Sequence, residues 1–175
     1  MPIIVCPLSR ASELARTRRP SRVVSLLDPG TPFPPLEGYA DAQRLQLSVH
    51  DIETEMDGLD HPDETHMRQI IEFVSAWDRT APILIHCFAG ISRSTATAYI
   101  TACAHNPDVD ETLIALALRD VSPTASPNRR FVALADAALG RGGRMSSAID
   151  AIGRGATWLE FGEAHPFTLP SRFAA

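Results

Sequence analysis

The chain has 175 residues, enough for one domain with a buried core. Its composition, 45% hydrophobic and 21% charged, is ordinary for a globular protein and argues against wholesale disorder. The formal net charge of −5 argues against a general nucleic-acid binder and against attraction to anionic membranes.

Four short segments have the composition of β-strands. Three are rich in apolar residues, and one alternates apolar with polar residues, as a strand with one buried face does. In chain order they are residues 3–6, 22–27, 43–49 and 83–85. The last is wholly apolar, which is typical of a central strand covered on both faces.

Helices are predicted from capping residues and from apolar residues at helical spacing. They cover approximately residues 9–18, 67–77, 92–103, 110–119, 128–139 and 145–152. Ser9 is the expected N-cap of the first helix. In the helix 110–119 we expect Leu113, Leu116 and Ala117 to face the core.

This order of elements predicts an α/β fold, because strands alternate with helices in the first half and helices dominate the second. We expect a small central, mainly parallel sheet flanked by helices. The prediction is a single domain over residues 1–175, with a core of about 1–145 and a C-terminal helix and tail of about 146–175.

The cysteines predict the compartment. Cys6, Cys87 and Cys103 are scattered and odd in number, which favours a reducing environment without a disulfide framework. The first twenty residues contain only a short apolar run, so neither a signal peptide nor a membrane span is expected. The cytoplasm is the expected location.

Residues 86–94, with the sequence HCFAGISRS, are the segment most informative about function. They join a predicted buried strand to a predicted helix, and Gly90 permits a sharp turn between the two. A short loop that enters a helix points successive N–H groups into one concavity, which is a natural anion site. Arg93, in the first helical turn, can fold back and bind two phosphate oxygens together.

Cys87 would lie at the floor of the same concavity. The inward N–H groups, the helix N-terminus and Arg93 all favour the thiolate over the thiol, and the thiolate is the nucleophile. The same positive charge would hold a phosphate ester and stabilise the charge that develops in transfer. The alternative for a cysteine after an apolar strand is a small buried hydrophobic residue.

The segment from His86 to Ser94 resembles the signature of the protein tyrosine phosphatase superfamily: histidine, cysteine, five residues, arginine, then serine or threonine. In size the chain is similar to the compact dual-specificity branch and its bacterial tyrosine-phosphatase-like relatives. The resemblance implies the phosphatase fold, a phosphocysteine on Cys87 and phosphate binding by Arg93. It further implies that Ser94 assists the cysteine as leaving group and that His86 shapes the loop and tunes the thiolate.

These last two roles have structural alternatives. Ser94 could equally be a capping residue at the helix N-terminus, and His86 a hydrogen-bonded structural histidine. The other expected substrate-binding residues are those of the loop itself. They are Phe88, Ala89, Gly90, Ile91 and Ser92.

Phosphate transfer also needs a proton donor for the leaving group and then a base for water. The compact members of the superfamily usually carry this aspartate directly after a strand and thirty-odd residues before the cysteine. Asp51, which follows the predicted strand 43–49 and lies 36 positions before Cys87, is the expected acid. Asp57, Asp60 and Asp63, in the same predicted loop, are the other candidates, and Asp57 and Asp60 come next after Asp51.

The pair Pro127-Asn128 resembles a turn that supports the active-site loops in dual-specificity phosphatases, so Asn128 is a candidate structural support. Asn128 could also be simply the N-cap of the helix that follows.

The residues His61, Asp63 and His66 could suggest a metal site, but a solvated acidic loop is favoured because their spacing does not suit one helical face. No metal and no organic cofactor are therefore expected. The neutral loop favours phosphotyrosine on a protein, with phosphoserine, phosphothreonine or a small phosphomonoester left open, and inorganic phosphate as the product. The alternatives are a phosphate-binding pseudophosphatase and a cysteine-loop sulfurtransferase or arsenate reductase.

Overall fold

A five-stranded sheet forms the centre of the computed structural model, which describes residues 1–156 and 162–174. Residues 157–161 and 175 of the predicted tail lie outside the described residues. The strands are β1 (Ile3–Pro7), β2 (Arg22–Leu27), β3 (Arg44–Ser48), β4 (Ile83–Cys87) and β5 (Phe167–Leu169). Their order is β3-β2-β4-β1-β5, with β5 alone antiparallel to its neighbour. The predicted α/β fold with a mainly parallel sheet is confirmed.

Six helices flank this sheet within the described ranges. They are α1 (Leu8–Arg18), α2 (Glu64–Ser75), α3 (Arg93–His105), α4 (Glu111–Val121), α5 (Arg129–Ala138) and α6 (Arg144–Ile152). Helix α1 covers one face of the sheet through Ala11 and Ala15, and the other helices pack on the opposite face. No helix in the described ranges is long and apolar enough to cross a membrane.

The strand β4 and the helix α3 form the most deeply buried part of the fold. All five residues of β4 are buried, as predicted for a central strand. In α3, every residue from 93 to 103 is buried, so this helix runs through the core and not along its surface. The turn between β4 and α3 is therefore held between two fixed elements.

Two predictions about helices are wrong. Ser9 does not cap α1, because the helix begins at Leu8 with Pro7 in the N-cap position. In α4, Leu113 and Leu116 are about half exposed, whereas Ile114, Ala115 and Leu118 are buried. This helix has apolar residues on more than one face, and the packing against α3 and α6 selects which face is buried.

The strand β5 is not among the strands predicted from the sequence. This strand has only three residues, between Pro166 and Pro170, and it pairs with β1 in the register Ile3 with Leu169. A three-residue segment is too short for an alternating pattern to be recognised. Through β5, the predicted C-terminal tail contributes an edge strand to the sheet.

The parallel strands end at one edge of the sheet, and three side chains with candidate chemistry follow there. Asp28 comes directly after β2, Asp51 follows β3 by a few residues, and Cys87 is the last residue of β4. Ligand sites of open α/β sheets lie outside the carboxyl ends of the strands. The candidate site is built at this edge.

Candidate active site

Backbone carbonyl groups of the loop at residues 88–92 accept hydrogen bonds from other segments of the chain. Backbone N–H groups of other segments donate to four of them, in the pairs Leu8 to Phe88 (3.0 Å), Ala164 to Ala89 (2.9 Å), Ser126 to Ile91 (2.9 Å) and Asn128 to Ser92 (3.4 Å). The backbone N–H groups of residues 89–92 donate to no acceptor in the described part of the chain. The loop thus has the form of an anion-binding concavity.

Gly90 allows this loop to lie against the end of β1. Its φ of +75° is in the left-handed region, and a Cβ at this position would lie 2.8 Å from the backbone nitrogen of Pro7. Real Cβ atoms essentially never approach backbone so closely. Both the turn and the close packing therefore require glycine.

Cys87 lies at the floor of the concavity with 2% of its surface exposed. Its Sγ is 3.1 Å from Oγ of Ser94, in the first turn of α3. The Ser94 hydroxyl can donate to a thiolate at this position, and a sulfur so stabilised is a better leaving group. The structure brings together the two residues that the motif pairs.

The other cysteines are in the core and are poor candidates for a nucleophile. Cys6 is on β1 and Cys103 on α3, and both are buried. Burial raises the pKa of each thiol to about 12, so both remain protonated at neutral pH.

Arg93 has a buried guanidinium group that is held at one end only. Its Nη1 donates to Oδ1 of Asp28 at 2.8 Å and to the carbonyl oxygen of Val49 at 2.6 Å. Its Nε is buried and finds no acceptor within the described residues, where Nη2 makes no hydrogen bond either. A buried donor without a partner is unusual in a native protein, and the Nε–Nη2 edge has the geometry that binds two oxygens of one phosphate.

Asp51 lies beside this arginine. Its Oδ1 accepts hydrogen bonds from the Ser92 hydroxyl at 2.7 Å and from Nδ2 of Asn128 at 2.8 Å. Its other oxygen, Oδ2, is 3.8 Å from Nε of Arg93. Of the four predicted candidates for the acid, Asp51 is the one that lines the same cavity as Cys87 and Arg93.

Asp57 and Asp60 lie elsewhere in the loop between β3 and α2. Both are exposed, and neither lines that cavity. Two hydrogen bonds instead join the backbone of Asp60 to His50. The backbone N–H of His50 donates to the carbonyl oxygen of Asp60 at 2.9 Å, and the backbone N–H of Asp60 donates to Nδ1 of His50 at 2.9 Å. The residues that could suggest a metal site have other partners. Asp63 caps α2, and Nδ1 of His61 lies 3.1 Å from Nη2 of Arg130.

Asn128 combines the two functions that the sequence left open. Its Oδ1 accepts the backbone N–H of Phe131 at 3.0 Å, which caps α5, while its Nδ2 donates to Asp51. It also donates to the carbonyl oxygen of Ile52 at 3.4 Å. One amide therefore joins the helix terminus to the loop that carries Asp51.

His86 lies beneath the loop and is fully buried. Its Nε2 is 2.7 Å from Oγ of Ser25 on the neighbouring strand β2. Burial lowers the pKa of the imidazole to about 4, so the ring is neutral at physiological pH. A neutral, hydrogen-bonded histidine at this position supports the strand that ends in Cys87.

The cavity around these residues has a volume of about 680 Å³. Its described lining includes three charged side chains that were not predicted from the sequence: Asp28, Glu53 and Arg154. Nη2 of Arg154 lies 3.2 Å from Oε2 of Glu53, so these two charges pair at the cavity wall. Asp28 could have been found from the sequence, because it directly follows a predicted parallel strand. Arg154 could not, because it lies in a tail without any recognisable pattern.

A comparison with protein families matches residues 56–121 to the model of the protein-tyrosine phosphatase family. The matched range contains Cys87, Arg93 and Ser94 and ends before Asn128. A comparison with curated proteins found no match.

Solved structures of phosphatases share the fold. Cydia pomonella PTP-2 phosphatase is 18% identical, with a TM-score of 0.55 over 76% of this chain and 83% of its own. DUSP15 is 19% identical, with a TM-score of 0.57 over 84% and 89%. A mouse putative dual specificity phosphatase, complexed with zinc tungstate, is 21% identical, with a TM-score of 0.55 over 82% and 84%.

The family match confirms the resemblance to the protein tyrosine phosphatase superfamily that the motif predicted. The solved structures confirm the fold, which is that of the dual-specificity phosphatases. The family match over residues 56–121 supports the predicted class of enzyme, a protein-tyrosine phosphatase.

Proposed function

We propose that this protein is a cysteine-dependent phosphatase that hydrolyses phosphate monoesters, with phosphotyrosine on proteins as the leading substrate. The proposal depends chiefly on one observation, the buried Nε of Arg93 that has no acceptor within the described residues. A phosphate group would supply that acceptor. The inward N–H groups of the loop would bind its remaining oxygens.

In the first step, the thiolate of Cys87 attacks phosphorus and forms an S–P bond. The P–O bond to the leaving group breaks, and the leaving oxygen takes a proton from Asp51. Arg93 and the loop N–H groups stabilise the charge on the transferred phosphoryl group. The products of this step are a neutral alcohol or phenol, a phosphocysteine and the Asp51 carboxylate.

In the second step, water attacks the phosphorus of the phosphocysteine while the Asp51 carboxylate takes a proton from that water. The S–P bond breaks, inorganic phosphate leaves, and the thiolate of Cys87 is restored. The Ser94 hydroxyl, 3.1 Å from the sulfur, donates to the departing thiolate. Asp51 ends the cycle protonated, as it began.

The cavity wall favours a substrate with one phosphate on an aromatic group. The described lining contains one basic residue besides Arg93, which is Arg154. Because Arg154 pairs with Glu53, this lining has no unpaired cation that could bind a second phosphate. Phe88, which is 63% exposed, offers an apolar surface for the ring that carries the phosphate. Phosphoserine and phosphothreonine would reach the same loop but would leave this surface uncovered.

The alternatives receive less support. A sulfurtransferase or arsenate reductase does not require Ser94 or a proton donor such as Asp51, and the family match is to phosphatases. A pseudophosphatase would lack one of the three groups needed for turnover, whereas Cys87, Arg93 and Asp51 line one cavity. The mouse structure with tungstate, a tetrahedral oxyanion like phosphate, is consistent with an anion site in this fold.

The test is phosphate release from para-nitrophenyl phosphate and from a phosphotyrosine peptide. The natural protein should hydrolyse both, Cys87→Ser should have no activity, and Asp51→Asn should lose roughly 10²–10⁴-fold on the peptide. Turnover confined to polyphosphoinositides would contradict the protein substrate. If the reduced natural protein binds phosphopeptide without releasing phosphate, or transfers sulfur from thiosulfate, the proposed function is wrong.

A further inference from the structure

We infer that Ser92 is a positioning residue for the general acid, and that it keeps the transferable proton of Asp51 on Oδ2. This inference rests on the proposed function, because it concerns the acid of that reaction. In this inference the Ser92 hydroxyl orients the acid that protonates the leaving group. The position of Ser92 in the loop would by itself suggest a contact with phosphate instead.

The evidence is the distribution of hydrogen bonds over the two oxygens of Asp51. Oδ1 accepts from Ser92 at 2.7 Å and from Asn128 at 2.8 Å, whereas Oδ2 accepts no hydrogen bond within the described residues. A carboxyl oxygen has two lone pairs, and on Oδ1 both are in use. A proton on Oδ1 would displace one of these donors, so the neutral acid carries its proton on Oδ2.

Oδ2 is also the oxygen on the side of the anion site. It lies 3.8 Å from Nε of Arg93, the donor that is left for phosphate. A proton on Oδ2 is therefore next to the place where the leaving oxygen of a bound ester would lie. In the second step the same oxygen, free of donors, is the one that can take a proton from water.

Ser92 is well held for this function. Its carbonyl oxygen accepts from the backbone N–H of Ala96 at 2.9 Å and from the hydroxyl of Thr95 at 2.9 Å, which fixes the residue at the start of α3. Because Arg93 follows directly, one short segment holds both the phosphate-binding group and the donor that orients the acid. The position of the acid is thus tied to the position of the phosphate.

The test compares Ser92→Ala with the natural protein on two aryl phosphates. Phosphotyrosine has a poor leaving group that needs the acid, whereas nitrophenolate leaves with little protonation. We expect kcat/KM of Ser92→Ala to fall about three- to tenfold on phosphotyrosine, the worth of one hydrogen bond. On para-nitrophenyl phosphate we expect less than about a twofold loss.

Further variants separate positioning from general damage. Ser92→Thr keeps the hydroxyl and should restore most of the activity. In the background of Asp51→Asn, adding Ser92→Ala should cost nothing more, because the group it positions is already lost. Ser12→Ala, which removes a serine hydrogen bond to the carbonyl of Pro35 away from the site, is the matched control and should behave as the natural protein on both substrates.

An equal loss on both substrates, a higher inhibition constant for inorganic phosphate, or no loss would overturn the inference. If Ser92→Ala fails to fold, Asn128→Ser tests the other donor, because serine can still cap α5 but is too short to reach Asp51. It should give the same dependence on the leaving group, and an equal loss on both substrates would again overturn the inference. Failure of the proposed function is distinguishable, because the natural protein would then hydrolyse neither ester.

Discussion

The carboxylate of Asp28 lies 2.8 Å from Nη1 of Arg93 and fixes one end of a guanidinium group that is otherwise buried. Asp28 is the first residue after β2, and its side chain is 44% exposed. Because Nη1 is occupied, the Nε–Nη2 edge remains for an anion. Asp28 therefore orients Arg93 without occupying the edge that would bind phosphate in the proposed function.

Replacing Asp28 with asparagine removes the charge but keeps the shape. We expect kcat/KM for a phosphotyrosine peptide to fall roughly three- to tenfold, because the amide oxygen still accepts from Nη1 but the bond loses the carboxylate charge that about doubles its strength. The inhibition constant for inorganic phosphate should rise in parallel. Asp108→Asn, at an exposed position in the turn before α4, is the control, and an Asp28→Asn enzyme that matches this control would refute the orienting contact.

Ser94 is expected to act mainly in the second step. Ser94→Ala removes the hydroxyl 3.1 Å from the sulfur of Cys87, so the thiolate leaves the phosphocysteine more slowly, by about tenfold. Rapid mixing with para-nitrophenyl phosphate should then show a burst of nitrophenol followed by slow turnover. Thr97→Val, in the same buried helix, is the control and should show no change in the burst. A purely structural Ser94 would lower the burst and the turnover together.

The loop depends on glycine at position 90 for stability. Gly90→Ala places a Cβ 2.8 Å from the backbone of Pro7 at a φ of +75°, and should lower the free energy of unfolding by roughly 2–4 kcal/mol. Gly58→Ala is the matched control, because its φ is +77° and no atom of the described residues lies within 4 Å of the added Cβ. It should cost only about 1 kcal/mol in denaturant unfolding. Equal losses in the two variants would contradict the packing of the loop on β1.

His86 should make stability depend on pH. Its pKa is about 4 in the folded protein, below the ordinary value of 6.5, because burial disfavours the charged ring. The unfolded chain therefore binds the proton more readily, and stability falls as the pH drops from about 6.5 towards 4. The full difference corresponds to about 3 kcal/mol. Above pH 6.5 this contribution is complete.

Unfolding by denaturant between pH 7 and pH 4 measures this effect. His86→Gln has no titratable ring, so its stability should fall less over this range than that of the natural protein. His165→Gln, at an exposed position, should keep the natural pH dependence. If His86→Gln keeps the same dependence, the histidine is not buried in its neutral form.

The sequence predicted the central elements because their signals are local. The apolar run before Cys87, the glycine turn and the arginine at the helix start all lie within one short segment, and the structure has β4, the loop and α3 there. Asp51 could be selected by its place after a strand. The roles proposed for these residues stay predictions until they are measured.

The features that could not be predicted from the sequence depend on contacts between distant segments of the chain. Two ion pairs, Asp28 with Arg93 and Glu53 with Arg154, join residues that are far apart in the chain. No local sequence pattern predicts either pair. The exposed Leu113 and Leu116 show the same limit, because helical spacing predicts a face but not the neighbour that will cover it. The short strand β5 is fixed by its pairing with β1 and not by its own composition.

The most direct test of the central claim is to trap the phosphorylated enzyme. The natural protein would be mixed with para-nitrophenyl phosphate, quenched in acid within milliseconds and analysed by mass spectrometry of its peptides. We predict phosphate on the peptide that contains Cys87, attached to the sulfur, and none on that peptide in Cys87→Ser. Phosphate release by the natural protein that persists in Cys87→Ser, with no labelled Cys87 peptide at any quench time, would contradict the account.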